Sequence, residues 1–326
     1  MSNLVTIYGG SGFVGRYIAR RMALLGWRVR VAVRRPNEAL HVRPYGAVGQ
    51  VEPIFCNIRD DASVAAAMRG AQAVVNCVGT FDSKGRNNFG AIHNDGAARV
   101  ARLAAQSGIA RLVHLSALGA DAGGDSDYAR TKAAGEVAVA AAFPAAVILR
   151  PSAIAGPEDG FFNRFAKMAT MGPVLPIVGG GTLFQPVYVD DVAAAAEHAI
   201  LSGAKGIFEL GGPQAKPLGD WISIMLGVIG RRRLVANLPF AAGAAIGLAL
   251  DAGSALTIGL VPNRVLTRDQ VRLLRHDNVV SEGAQGFADL GIEPTSVQAV
   301  MKDYLWRYRP GGQFADIQSS ARNLKT

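Results

Sequence analysis

Tyr128 and Lys132 stand four residues apart, a spacing that places both side chains on one face of a helix. An ammonium group beside a phenol stabilises the phenolate and lowers a phenol pKa that starts at about 10. Such a pair can donate or remove a proton at a substrate oxygen, and the lysine can also hold a ribose. Ser116, at the end of a predicted strand, offers a hydroxyl that could orient a substrate carbonyl. The three residues therefore predict an acid–base catalytic site.

A glycine-rich turn near the start of the chain has the spacing of a phosphate-binding loop. It follows an apolar run that predicts a strand, Leu4–Tyr8, and it precedes a helical pattern that begins at Arg16. Glycine would permit the sharp turn, let the backbone approach a pyrophosphate, and let the helix pack close to the strand. The alternative is a glycine-rich turn that binds nothing, but its position after a strand favours a dinucleotide. The predicted contacts are Gly9, Ser11, Gly12, Phe13, Val14 and Gly15.

Two arginines at the end of the second predicted strand, 28–33, favour NADP(H) over NAD(H). In a dinucleotide-binding fold, this strand end meets the adenosine ribose, where an acidic residue would accept hydrogen bonds from a free 2′-hydroxyl. Arg34 and Arg35 occupy that position instead, and guanidinium groups can hold a 2′-phosphate. A charge-assisted hydrogen bond of ~1.5–3 kcal/mol corresponds to a preference of roughly ten- to hundredfold. The alternative is a solvated pair of arginines.

Predicted strands alternate with predicted helices through the first two thirds of the chain. Further strands are predicted at 51–58, 73–79, 110–116 and 147–149. This alternation indicates an α/β fold with a doubly wound parallel Rossmann sheet, in which ligands bind at the carboxyl ends of the strands. The strand ends therefore add cofactor contacts at Asn57, Ile58, Cys77, Val78 and Gly79, beside Ser116, Tyr128 and Lys132.

Composition limits the other classes of function. The 326 residues are half hydrophobic, enough for one large or two unequal domains. Two cysteines, Cys56 and Cys77, are each expected inside a strand, which favours a reducing compartment and predicts no disulfide or metal site. A net charge of +9 suits a partner such as anionic lipid, nucleic acid or an acidic protein. No basic strand with interleaved aromatic residues is present, so no nucleic-acid partner is predicted.

Taken together, these motifs resemble the short-chain dehydrogenase/reductase superfamily in its extended or atypical branch. The glycine motif, the Tyr-x-x-x-Lys motif and the segment 185–192 all match. The run 150–157 matches the segment that lies by the nicotinamide in that superfamily, and the resemblance implies cofactor contacts at Pro151, Ser152 and Ile154. Active extended members generally carry the orienting hydroxyl one or two residues beyond the position of Ser116. Ala117 and Leu118 stand there in this chain.

A narrower resemblance covers most of the chain. The runs 142–144, 162–166, 172–173, 266–271 and 290–294 are similar to the NADPH-binding accessory subunits of respiratory complex I and their bacterial relatives. Membership of that family implies a nucleotide held as a structural element and a subunit placed against the membrane near the quinone site. It also implies complex I subunits as partners. The expected location is cytoplasmic, peripheral on the inner face of the respiratory membrane.

The C-terminal part is expected to form a smaller domain. The predicted boundaries are 1–212 for the NADP(H)-binding domain and 213–326 for a substrate-side or docking domain, with 156–184 an insertion leaning toward the latter. Arg231–Arg233 precede a segment rich in alanine, glycine and leucine, 238–261. Asp251 near its middle argues against a membrane span. The segment could instead dock on an anionic membrane surface or a partner, or close the substrate cleft of its own chain.

Two functions of different class follow. The first is an NADP(H)-binding accessory or assembly protein of complex I with a largely structural cofactor. The second is an NADP(H)-dependent reductase, epimerase or dehydratase that uses Tyr128 and Lys132 on a small carbonyl, sugar-nucleotide or quinone-like substrate. A redox sensor of the NADPH/NADP ratio is a third possibility. The sequence does not identify the substrate.

Overall fold

The structure is a computed structural model, and it describes residues 3–81, 85–256 and 266–314, with the side chains of 254–256 left out. The last part of the predicted docking segment, 257–261, and the C-terminal tail 315–326 lie outside the described residues. The strands, in chain order, are β1 Leu4–Tyr8, β2 Arg28–Val33, β3 Val51–Phe55, β4 Ala73–Asn76, β5 Arg111–Leu115, β6 Val147–Pro151, β7 Ile154–Ala155, β8 Val174–Val178, β9 Leu183–Phe184, β10 Val187–Tyr188, β11 Gly206–Leu210, β12 Lys216–Pro217 and β13 Leu234–Leu238.

The α-helices alternate with the strands over the first half of the chain. They are α1 Phe13–Leu24, α2 Asp61–Met68, α3 Asp95–Gln106, α4 Asp127–Ala142, α5 Phe162–Met171, α6 Val189–Ser202, α7 Leu218–Val228, α8 Phe240–Leu256, α9 Arg268–Leu273 and α10 Val297–Tyr304. A 3₁₀ helix, Pro36–Tyr45, follows β2, and one π-helical turn, Gly90–Asn94, leads into α3.

The first compact unit contains the described residues of 1–152 together with Val189–Gly211 and Val280–Pro294. Its seven-stranded sheet has the order β11-β6-β5-β4-β1-β2-β3, and every neighbouring pair is parallel. β1 is an interior strand of the sheet and all five of its residues are buried, as expected for a strand with helices on both faces. The strand order reverses between β1 and β4, which is the position where ligands bind in such sheets. The predicted doubly wound Rossmann fold is confirmed.

Several predicted boundaries differ from the structure. Helix α1 begins at Phe13, three residues before the predicted start, because Gly12 is already its N-cap. β3 and β4 end at Phe55 and Asn76, so Cys56 and Cys77 each lie just after a strand rather than inside it. The prediction for the two cysteines was wrong by one residue at each strand end, where their amides still donate to the Val33 and Tyr8 carbonyls of the neighbouring strand.

A buried apolar layer supports one face of this sheet. The side chains of α2 and α3, among them Val64, Met68 and Val100, pack with the β5 residue Leu112 and the β6 residue Ile148. The N-terminus of α2 is fixed by Asp60, whose carboxylate accepts a hydrogen bond from the Ser63 amide. Such packing holds the carboxyl ends of the strands at fixed positions.

The second unit contains Ala153–Tyr188, Gly212–Val279 and the described residues from Thr295 onward. Short two-stranded sheets pair β10 with β7, β12 with β9 and β13 with β8. Its core is formed by α5, α7 and α10 around Trp221, which is almost fully buried and donates a hydrogen bond to the Phe184 carbonyl. A buried carboxylate, Asp159, accepts hydrogen bonds from the Tyr304 hydroxyl and the Gly156 amide.

The division of the chain differs from the predicted boundaries. The predicted N-terminal domain extended to 212, and only 156–184 was expected to lean toward the C-terminal part. In the structure all of 153–188 belongs to the second unit, whereas 280–294 belongs to the first. The return segment runs beside the edge strand β11, where the Glu209 amide donates to the Gln285 carbonyl and the Ser281 amide donates to the Glu209 carboxylate. Contacts of this kind between distant residues leave no periodic signal in the sequence.

Within the three described ranges, no helix combines the length and the hydropathy that crossing a membrane requires.

Candidate functional site

The glycine turn after β1 is built for close approach of a ligand. Gly9 has a φ of 74°, a conformation that favours glycine. A Cβ at Gly15 would lie 2.5 Å from the Gly9 carbonyl oxygen and 2.7 Å from the Gly10 Cα, so only glycine fits there without a shift. The N-cap of α1, Gly12, provides no side-chain cap, and the first turn contains no acidic residue. The amides of that turn are therefore available to a phosphate, and the turn fits a pyrophosphate. Ser11, Phe13 and Val14 lie in the same turn.

Basic side chains flank this turn. The Arg16 guanidinium donates to the carbonyls of Gly12, at 3.2 Å, and Ser11, at 3.0 Å. After β2, Arg34 and Arg35 are both exposed. Arg35 forms an ion pair of 3.0 Å with Glu38, in the first turn of the 3₁₀ helix. Exposed ion pairs contribute little, so a phosphate could compete for Arg35.

The predicted contacts on β3 and β4 also lie at the carboxyl ends of their strands. The Asn57 amide donates to the Ser63 hydroxyl, which fixes the turn after β3, and Ile58 is buried. After β4, the Val78 amide donates to the Asn76 side chain, Cys77 is partly exposed and Gly79 is exposed. The parallel sheet therefore brings these residues to the same edge as the glycine turn.

The residues around the end of β6 divide between the two units. Pro151 ends β6, and the Ser152 amide donates to the Leu210 carbonyl on β11. Both belong to the first unit, at the same edge of the sheet. Ile154 belongs to the second unit, where β7 pairs with β10. Its predicted cofactor contact stays a prediction.

Aromatic rings enclose the phenol of Tyr128. The Phe81 ring stacks on it with centroids 5.5 Å apart and planes 7° apart, while Phe89 and His93 contact it edge-on. Helix α4 positions the tyrosine in its first turn, where the Ser126 hydroxyl caps the Ala129 amide. The Lys132 Nζ lies 5.9 Å from the centroid of the Tyr128 ring and donates to the Leu115 carbonyl at 3.3 Å. The structure therefore brings Tyr128 and Lys132 together as predicted from their spacing.

Burial shifts the pKa values of Tyr128 and Lys132 toward their neutral forms, whereas the sequence alone predicted that Lys132 would lower the pKa of Tyr128. Burial raises the pKa of Tyr128 to about 12. Burial lowers the pKa of Lys132 to about 8, although the charge of Glu136 works in the opposite direction. His93 is neutral, because burial and the charge of Lys132 lower its pKa to about 3. Its Nε2 accepts the Thr80 amide, so the proton lies on Nδ1, next to the Thr131 hydroxyl at 3.2 Å.

Ser116 is held by a carboxylate. It lies directly after β5, is buried, and donates its hydroxyl to Glu136 on α4. Arg150 binds the same carboxylate with two nitrogens, Nε to Oε1 at 3.0 Å and Nη2 to Oε2 at 2.6 Å. The serine hydroxyl is therefore committed to Glu136 in this structure rather than offered to a carbonyl.

Sequence reasoning did not select several of these residues. Arg16, directly after Gly15, could have been noted as a cation beside the phosphate turn. Glu38 lies four residues beyond Arg34, so a search for an acid at the strand end missed it. Phe81 and His93 carry no spacing signal, because the loop after β4 and the π-helical turn position them. Glu136 lies four residues after Lys132 on α4, and this helical spacing could have identified it. In the described part of the chain, no cluster of three histidine, cysteine or acidic side chains could hold a metal ion.

The parallel sheet, the glycine turn at its switch point and the Tyr-x-x-x-Lys helix define a Rossmann-type protein of the nucleotide-cofactor-binding class. The model of the NAD dependent epimerase/dehydratase family matches residues 5–211. The chain belongs to this family.

Two relatives and one solved structure illustrate the range of similar proteins. The chain is 33% identical over 320 residues to NADH dehydrogenase [ubiquinone] 1 alpha subcomplex subunit 9, mitochondrial, of Arabidopsis thaliana, covering 95% of this chain and 79% of the relative. It is 33% identical over 257 residues to the ceramide reductase of Caulobacter vibrioides, and this match covers 78% of this chain and 79% of the relative. The fold is similar to that of the NADPH-dependent quinone oxidoreductase QOR2 of Escherichia coli, with a TM-score of 0.70 and 18% sequence identity. The superposition covers 92% of this chain and 99% of the solved chain.

Proposed function

We propose that this chain is an NADP(H)-binding accessory protein associated with respiratory complex I, in which the nucleotide is mainly a structural element. The observation that carries the proposal is the commitment of the Ser116 hydroxyl to Glu136. Ala117 and Leu118 follow it, so no hydroxyl stands at the two positions where active relatives orient a carbonyl. The glycine turn proposed to hold the nucleotide keeps Gly9, Gly12 and Gly15. The similarity to a complex I subunit over nearly the whole chain supports the same conclusion.

The nucleotide would be held by the amides of the glycine turn, by Lys132 at the nicotinamide ribose, and by Arg34 and Arg35 at a 2′-phosphate. Arg34 is exposed at the end of β2, and the ion-pair partner of Arg35, Glu38, is itself exposed. Two guanidinium groups would favour NADP(H) over NAD(H) by roughly ten- to hundredfold.

Complex I subunits and the anionic membrane surface beside them are the proposed partners, which places the chain peripherally at the respiratory membrane. Arg231 and Arg233 donate through Nε to the Tyr308 and Ala169 carbonyls within the second unit, whereas Arg232 is exposed. Ile246 and Leu248 on α8 are also exposed. We expect Arg232→Glu, which changes the charge by two, to reduce the affinity for vesicles that contain anionic lipid by roughly thirtyfold in co-sedimentation, since each charge contributes ~1 kcal/mol. Unchanged co-sedimentation would remove this residue from the proposed membrane contact.

A second candidate function is reduction of a carbonyl on a lipophilic substrate. The Tyr128–Lys132 pair favours it, and so does the exposed Phe81 ring, which gives the site an apolar wall. A bound NADPH would supply the hydride for the carbonyl carbon. Tyr128 would donate the proton to the carbonyl oxygen, with Lys132 holding the ribose. The similarity to a ceramide reductase is consistent with such a substrate.

Tyr128→Phe separates the two functions, because it removes the proton donor and leaves the stacked ring. If the accessory function holds, the variant binds NADPH as the parent does in calorimetry and still migrates with complex I on native gels. The matched control is Tyr45→Phe, outside the site. If Tyr128→Phe keeps its nucleotide but abolishes the cellular phenotype, and Tyr45→Phe does not, the protein acts as an enzyme and the accessory proposal is wrong.

A further inference from the structure

A chain of buried or partly buried charges runs from Lys132 to the edge of the sheet. Glu136 lies one helical turn beyond Lys132 and is 4% exposed. Arg150 joins it to Glu209, whose Oε1 lies 3.3 Å from the Arg150 Nη1. The Ser281 amide, in the segment that returns to this unit, donates to the other Glu209 oxygen at 2.8 Å. Two cations and two carboxylates thus form a balanced set beneath the candidate site.

Glu136 is the charged partner of Lys132 within this set. In the described part of the chain, five titratable groups face Lys132 from α4, from the ends of β4 and β5 and from the π-helical turn: Cys77, His93, His114, Tyr128 and Glu136. Burial lowers the pKa of His114, like that of His93, to about 3, and raises that of Cys77 to about 12. With Tyr128 also protonated, four of the five are neutral at pH 7. Only the carboxylate of Glu136 offers the Lys132 ammonium an opposite charge.

The same carboxylate fixes the end of β5. Lys132 donates to the Leu115 carbonyl, and Glu136 accepts from the Ser116 hydroxyl one residue later. Arg150 binds Glu136 through two nitrogens, a geometry that fixes the carboxylate plane. The Glu136 carboxylate therefore binds the residue at the end of β5 and also lies one helical turn from the Lys132 ammonium.

We propose that Glu136 is a positioning residue for the Tyr128–Lys132 pair, since its carboxylate, held by Arg150, keeps the Lys132 ammonium charged and Ser116 turned away from the ligand. The proposal rests on the proposed nucleotide site, because a charged Lys132 serves to hold the nicotinamide ribose. Glu136 itself touches neither nucleotide nor substrate.

The test compares Glu136→Gln with Glu209→Gln. Each substitution removes one carboxylate from Arg150 and keeps a hydrogen-bonding amide, but only Glu136 stands one turn from Lys132. The titration of Lys132 is followed by NMR of lysine side chains labelled with ¹³C, in the full chain without added nucleotide, with the signal assigned by Lys132→Met. The Lys132 and Glu136 charges are taken as roughly 6 Å apart, the spacing of neighbouring side chains one helical turn apart. We therefore expect Glu136→Gln to lower the midpoint of the Lys132 titration by about one pH unit, and Glu209→Gln to leave this midpoint unchanged.

A midpoint that does not move in Glu136→Gln, or that moves equally in both variants, would overturn the proposal. The affinity for NADPH is then measured at pH 8, where we expect Glu136→Gln to bind about threefold to tenfold more weakly than Glu209→Gln. Failure of the parent protein to bind NADPH, with a normal Lys132 titration, would contradict the proposed function rather than the role of Glu136. If Glu136→Gln does not fold, the double variant Glu136→Gln with Arg150→Gln is compared with Arg150→Gln alone, and the midpoint of the Lys132 titration must be lower in the double variant.

Discussion

Replacing Gly15 by alanine tests the steric argument for the nucleotide turn. The added Cβ would lie 2.5 Å from the Gly9 carbonyl oxygen, and an ordinary van der Waals contact begins at 3.4 Å. Either the start of helix α1 or the Gly9 peptide must therefore move by about 0.9 Å. The Gly9 carbonyl also accepts the Gly12 amide at 2.9 Å, so this movement distorts the hydrogen bond that shapes the turn. Overpacking of this kind costs about 1–3 kcal/mol, partly offset by the gain of ~1 kcal/mol from alanine in a helix.

Gly227→Ala is the matched control. Gly227 lies in helix α7, is exposed, and has no atom within 4 Å of an added Cβ. The same chemical change should therefore stabilise the helix by ~1 kcal/mol and raise the melting temperature by about 2 °C.

The assay combines thermal unfolding with calorimetric titration of NADPH. We expect Gly15→Ala to weaken NADPH binding at least about tenfold, because the amides of the α1 N-terminus no longer point at the phosphates. Gly227→Ala should bind NADPH as the parent does. If Gly15→Ala binds NADPH with unchanged affinity, the turn is not the pyrophosphate site and the reasoning from its geometry is refuted.

Two further predictions concern charge. Arg34→Ala combined with Arg35→Ala should weaken NADPH binding about ten- to hundredfold with little effect on NADH, measured by parallel calorimetric titrations; equal losses would contradict the phosphate contact. The imidazoles of His93 and His114 have a pKa of about 3 when folded, against about 6.5 unfolded, so the unfolded state binds more protons between these values. Stability should therefore fall as pH falls from about 6.5 toward 3, by up to ~1.4 kcal/mol per pH unit for each histidine. Chemical denaturation at several pH values should show a shallower fall in His114→Gln, and an unchanged slope would show that His114 does not contribute.

The sequence predicted those features that depend on local pattern. β1 and β2 have the predicted bounds, because apolar and β-branched runs flanked by glycine or arginine specify them. The spacing of four between Tyr128 and Lys132 placed both on α4, and the resemblance to the short-chain dehydrogenase/reductase superfamily is confirmed by the family match. The roles of the predicted site residues stay predictions.

What the sequence did not predict depends on contacts between distant residues. Glu136 and Ser116 meet because α4 packs beside the end of β5, and no spacing rule links residues twenty positions apart. The stacking of Phe81 on Tyr128 depends on the path of an irregular loop. The return of 280–294 to the first unit involves the hydrogen bond from the Glu209 amide to the Gln285 carbonyl and the one from the Ser281 amide to the Glu209 carboxylate, which join residues more than seventy positions apart.

The most direct test of the account is the identity of the nucleotide bound to the native protein. The chain would be purified from its source cells without added nucleotide, denatured, and the released small molecules identified and quantified by mass spectrometry. We expect close to one NADP(H) per chain, with little NAD(H). Release of no pyridine nucleotide, together with no uptake of NADPH or NADH in calorimetric titration of the purified chain, would contradict it.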